Sequence, residues 1–132
     1  MADFAYIDAS AFVKLFSAEP ESGAMAEALD GELPLIVASE ILAVEAFRAA
    51  LRLGADATAE APRLLRRVAL RPLTREIRER AYRIGTPSLR ALDAIHLATA
   101  VSLEQEVESI FTYDKRLAQA SEDVGLRVLA PA

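Results

Sequence analysis

Five short apolar runs recur along the chain, separated by stretches of helical periodicity, and this alternation limits the fold more than any other feature. The runs are Phe4–Ile7, Leu35–Ala38, Ala69–Leu73, Ser109–Thr112 and Leu126–Leu129, each short enough and apolar enough to be a strand. Helical spacing of apolar residues fills Ser10–Ser17, Glu21–Leu29, Glu40–Leu53, Ala57–Val68, Arg75–Ile84, Arg90–Leu103 and Lys115–Val124. Strands that alternate with helices need crossover connections, so the pattern predicts an α/β fold with a mainly parallel sheet of roughly five strands. Local punctuation agrees. Glu19-Pro20 breaks the first helix, Ser39 is placed to cap the third, and Gly54, Gly85-Thr86-Pro87 and Gly125 stop helices.

A chain of 132 residues is the size of one domain, residues 1–132, and can bury a core without staples. It has no cysteine, which excludes a disulfide framework, a thiolate zinc site and a cysteine nucleophile. Any metal must then be held mainly by oxygen. Met1-Ala2-Asp3-Phe4 shows no basic stretch leading into an apolar one, and no apolar run approaches the ~20 residues that span a bilayer. A cytoplasmic location away from membranes is the expectation.

The net charge of −5 is unevenly spread. Nine arginines stand between Arg63 and Arg90 against Glu76 and Glu79, a local +7 that leaves −12 for the rest. Two readings fit: a solvated helical face with i,i+4 pairs, or a surface for phosphate or a partner. The second predicts that replacing Arg66, Arg67 and Arg71 by Glu weakens binding of a phosphate-bearing ligand.

In an open parallel sheet, ligands bind outside the carboxyl ends of the strands, and acids stand there. Asp8 directly follows Phe4–Ile7, where it serves either as an N-cap or as a site carboxylate, with Ser10 beside it as a plain first-turn residue or as a hydroxyl orienting it. Asp114 follows the fourth run in the same way, with Thr112 ending the strand or orienting the acid. Glu45 sits among Ile41, Leu42, Ala43, Val44, Ala46 and Phe47, with Arg48 three residues on as an ion-pair alternative. Glu40 stands about 140° around the helix from Glu45, and so reads as a favourable first-turn charge rather than a member of the same site. Asp93 lies in the most apolar helix of the chain, where an acid is costly unless Arg90 or a cation pairs it. His96, three residues further, reads as a hydrogen-bonded packing residue or as a ligand. Convergence of Asp8, Glu45, Asp93 and Asp114 would be self-repelling without a hard divalent cation, Mg²⁺ or Mn²⁺.

The order and spacing of four segments resemble a known family, the PIN-domain ribonucleases, and within it the VapC toxins of toxin–antitoxin pairs. The segments are Tyr6–Leu15, Ser39 through Glu45 and Arg48, Leu92–Ala100 and Thr112–Leu117. The helix after Ser39 departs in detail, carrying Phe47 where small or aliphatic residues are frequent, and the Arg63–Arg90 stretch is not a family signature. The resemblance spans nearly the whole chain. It implies a three-layer α/β/α fold and a metal site lined by Asp8, Glu45, Asp93 and Asp114, with the Ser10 and Thr112 hydroxyls nearby. It further implies an endoribonuclease using Mg²⁺ or Mn²⁺ on structured RNA, a homodimer, and a VapB-like antitoxin that reaches the acids with a basic side chain.

Two other functions compete with this one. A phosphate-handling receiver domain wants adjacent acids after the first strand and a lysine past the last, which Ile7-Asp8-Ala9 and Leu129-Ala130-Pro131 do not supply. A catalytically inert module of the same fold, binding only an antitoxin-like peptide or RNA, is opposed by the intact acids.

Overall fold

The computed structural model describes residues 4–31 and 35–132; the reading of the first three residues lies outside them. β1 (Phe4–Ile7) leads into α1 (Ala9–Phe12), a 3-10 turn (Val13–Leu15) and α2 (Ser22–Leu29). β2 (Leu35–Ser39), α3 (Ile41–Leu53), α4 (Ala55–Leu65) and β3 (Val68–Arg71) follow, then α5 (Arg75–Ala81), α6 (Ala91–Ser102), β4 (Val107–Phe111), α7 (Lys115–Asp123) and β5 (Arg127–Leu129). The five strands form one sheet in the order β3-β2-β1-β4-β5, with every pairing parallel. Helices cover both faces, as the predicted α/β class requires.

β1 is central and covered on both sides, so Ala5, Tyr6 and Ile7 are fully buried. Around it Phe12, Met25, Leu42, Leu97, Ile110 and Leu117 close the main core, each contributing roughly 1.5–3 kcal/mol of apolar burial. Because β2 pairs with one edge of β1 and β4 with the other, the strand order reverses at β1. The crevice at the carboxyl ends of β1 and β4 is the place where such sheets take ligands.

Several boundaries differ from those predicted. The first helix closes after one α-turn and tightens into the 3-10 turn, since Lys14 Nζ is drawn to Glu19 at 2.9 Å and Glu21 at 2.8 Å, bending the chain. β3 runs Val68–Arg71 rather than to Leu73, because Pro72 has no N–H for the ladder. Gly54, at φ 118°, ends α3 and starts α4 without a connecting loop, which moves α4 two residues earlier than predicted. Glu40, read as a first-turn charge, instead precedes α3 and accepts the Leu73 N–H, tying α3 to the segment after β3. Ser39 contributes part of the expected cap, its Oγ accepting from the Ile41 N–H at 3.3 Å.

Candidate active site

Asp8 leaves β1 in an extended conformation and caps α1. Its carboxylate is 2% exposed and densely bonded: Oδ1 accepts the Ala11 N–H at 3.0 Å, Ser10 Oγ lies 2.7 and 2.9 Å from its two oxygens, and Thr112 Oγ1 donates to Oδ2 at 2.6 Å. Capping and site geometry thus coexist in one side chain. Ser10 Oγ in turn accepts the Tyr113 N–H at 2.9 Å, and Thr112 Oγ1 accepts that of Asp114 at 3.1 Å. The two hydroxyls therefore lock the turn after β1 to the turn after β4. Burial pushes the Asp8 carboxyl above its ordinary range, against the opposing pull of Thr112, Ala11 and Ser10.

Asp114 caps α7, its Oδ1 accepting from the Leu117 N–H at 2.9 Å. Asp93 enters from the first turn of α6, half-buried, and its carboxyl is pushed up to about 6 by burial and then by the charges of Asp114 and Asp8. The three aspartates consequently share one field, with Glu45 a weaker contributor to it. Neither expected ion pair forms among the described residues: Asp93 is not bridged to Arg90, nor Glu45 to Arg48.

Glu45 has a different partner. His96 is fully buried, its Nε2 lies 2.6 Å from Glu45 Oε1, and its Nδ1 lies 2.7 Å from the Tyr6 hydroxyl. The Tyr6 oxygen that faces Nδ1 also accepts the Ser39 N–H at 2.9 Å. Burial holds the Tyr6 phenol above its usual range, so it stays a donor. This chain of bonds fastens Glu45 to β1, β2 and α6. The sequence placed His96 as a packing or ligand residue but hid its partner, since nothing in local spacing relates positions 45 and 96.

Among the described residues, no three His, Asp or Glu side chains are gathered closely enough to hold an ion as they stand. As they stand, Asp8 bonds to two hydroxyls, Glu45 to His96 and Asp114 to the start of its helix. The donor chemistry nonetheless suits a hard cation. All the candidates are carboxylates, the oxygen donors that Mg²⁺ and Mn²⁺ favour.

The raised Asp93 carboxyl has a measurable consequence. Without an ion, folded Asp93 keeps its proton up to about pH 6, whereas the unfolded chain loses it near the ordinary value of about 4. Stability is therefore expected to fall as pH rises through that window, by about 1–2 kcal/mol after allowing for solvent screening of a half-buried group. Thermal unfolding in EDTA should give a Tm roughly 2–3 °C higher near pH 5 than near pH 7, a step that spans about half of that loss, and Asp93→Asn should flatten the difference. An unchanged profile in the variant would assign the pH dependence elsewhere.

Fold and acids together define a class: an all-parallel α/β domain with carboxylates set around the switch point of its sheet. The PIN domain family model matches residues 5–123, and the chain belongs to that family. Ribonuclease VapC35 of Mycobacterium tuberculosis strain H37Rv is 37% identical over 129 residues, 96% of each chain. Ribonuclease VapC46 of the same strain is 37% identical over 127 residues, 96% of this chain and 97% of that one. Two solved structures share the fold. A toxin–antitoxin complex from Klebsiella pneumoniae superposes with a TM-score of 0.72 at 24% identity, covering 97% of this chain and 98% of the other. M. tuberculosis VapC20, a toxin that cleaves the sarcin–ricin loop, gives 0.70 at 20% identity, covering 87% and 93%.

Proposed function

We propose that this chain is a metal-dependent endoribonuclease acting as the toxin of a toxin–antitoxin pair. The observation that carries the reading is the meeting of Asp93, from the first turn of α6, with Asp8 and Asp114 past β1 and β4: burial, and after it the charges of Asp114 and Asp8, push the Asp93 carboxyl up to about 6. In a member of the PIN domain family, with relatives named ribonuclease VapC, such a meeting of acids is best explained by a divalent cation.

Asp8, Asp93, Asp114 and Glu45 are the residues that would hold Mg²⁺ or Mn²⁺, and the ion, when bound, supplies activation of water for in-line attack on a phosphodiester and charge for the departing oxygen. The protein's own contribution is placement. Ser10 and Thr112 pin the Asp8 carboxylate, His96 holds one Glu45 oxygen and leaves the other for the site, and the Asp114 cap leaves Oδ2 uncommitted to α7. The same acidity suits a VapB-like antitoxin that reaches in with a basic side chain. A homodimer and a cytoplasmic location complete the reading; among the described residues no helix is long and apolar enough to cross a membrane.

An inert binding module remains the competing reading, favoured by the local partner that Asp8, Glu45 and Asp114 each already has. Expression in a bacterial host discriminates. An active nuclease should arrest growth, and Asp8→Asn should relieve the arrest. Tolerated expression of soluble wild-type protein would favour the inert module.

A further inference from the structure

An open groove of about 710 Å³ runs along α3 past Glu45, lined by Ser10, Glu45, Arg48, Arg52, Leu92 and Tyr113 among others. Glu45, Arg48 and Arg52 form one stripe of α3, at i, i+3 and i+7. At about 1.5 Å of rise per residue, the arginines lie about 4.5 and 10.5 Å beyond Glu45 along the helix. Both are exposed. Neither has an acidic partner among the described residues, whereas Lys14 and Glu19, which also line the groove, pair with one another at 2.9 Å.

Two unneutralised guanidinium groups one helical turn apart are spaced to take successive phosphates, leading away from a site that would hold a third. The groove is also lined by Leu92, 48% exposed, and by Tyr113, whose ring carries the Lys14 Nζ at 5.0 Å from its centroid. The charge is complementary to a polyanion.

The arginine-rich stretch is placed differently. Arg78 and Arg83 line another groove with Ala91 and Ile95, and these two α6 residues stand about 200° from Asp93 around the helix at ~100° per residue. Arg67 is spent on the Leu29 carbonyl at 2.7 Å, and Arg63 and Arg75 pair with Glu60 and Glu79. That side of α6 faces away from the acids.

We propose that Arg48 and Arg52 form the phosphate-binding track for the RNA strand flanking the scissile bond. The proposal rests on the ribonuclease reading of the acids, but its test does not depend on turnover. Binding of a short fluorescein-labelled RNA hairpin is measured by anisotropy across a salt series in EDTA. Arg48→Gln with Arg52→Gln should weaken binding at least tenfold and make the salt dependence shallower by roughly 0.7–0.9 per lost phosphate contact. Lysine at both positions should restore most of the affinity, since a point charge still meets a phosphate. Arg78→Gln with Arg83→Gln should bind as wild type does.

Unchanged affinity and slope in the Arg48/Arg52 variant would overturn the proposal, as would loss confined to the Arg78/Arg83 variant. Peptide binding in the groove with no effect of these arginines on RNA would do the same. Loss of RNA binding as predicted, in a wild-type protein that cuts no RNA with any metal, would uphold the track and sink the nuclease reading of the acids.

Discussion

Asp93→Asn is expected to lower RNA cleavage by about 10²–10³-fold, the usual cost of losing one group that stabilises charge in a transition state, while the ion-free protein folds at least as well as before. The two halves of this expectation share one cause. Asp93 is half-buried beside Asp114 and Asp8, so its charge is unfavourable in the empty site and its carboxyl is held at about 6. An amide of the same shape removes the repulsion and with it a ligand for the cation. Function and stability therefore pull in opposite directions at this position. Cleavage under single-turnover conditions, set beside thermal unfolding in EDTA, measures both. A variant that unfolds more easily than wild type in EDTA would show that Asp93 is paired in some way this account omits.

His96→Ala is expected to cost about 2–4 kcal/mol of stability and, at a temperature where the variant is folded, about 10–100-fold in activity. The stability figure combines a cavity with two stranded polar groups: the buried Tyr6 hydroxyl and Glu45 Oε1 both lose the imidazole. An edge-to-face contact between the Tyr6 and His96 rings, with centroids 5.7 Å apart, goes as well. The activity loss follows from Glu45, which no longer has an anchor for one oxygen, and losses of that size are usual when the partner of a ligating carboxylate is removed. Urea unfolding gives the first quantity and cleavage at several Mn²⁺ concentrations the second. If the Mn²⁺ dependence is unchanged, His96 is a packing residue and nothing more.

How legible the protein is in its sequence depends on how local each determinant is. The α/β class follows from period alone, and Gly54 and Gly125 mark helix ends because their φ values of 118° and 91° suit glycine. Asp8 and Asp114 were found because a strand followed at once by an acid is a local pattern with a known location in a parallel sheet. Asp93 was found because its neighbours on α6 are apolar. The partners of these acids were not legible in the same way. Asp8 meets Thr112 across the β1–β4 pairing, and the Glu45 side chain of α3 reaches the buried His96 imidazole of α6. Such contacts are set by packing, so the residue-by-residue reading offered Arg90 and Arg48, which are near in sequence, and the structure uses neither. The arginine-rich stretch shows the same limit. Its charge is obvious in the chain, but only the arrangement of α5 and α6 shows that Arg78 and Arg83 lie behind the acids.

The most direct test is cleavage of total cellular RNA by the purified protein in Mg²⁺, in Mn²⁺ and in EDTA, beside Asp93→Asn. Discrete cuts are expected with either metal, none in EDTA, and about 10²–10³-fold slower cutting by the variant. Cutting that persists in EDTA, or that Asp93→Asn carries out at the wild-type rate, would contradict a metal-dependent site built on these carboxylates, and no cutting by folded, antitoxin-free protein under any condition would leave the fold as a binding module.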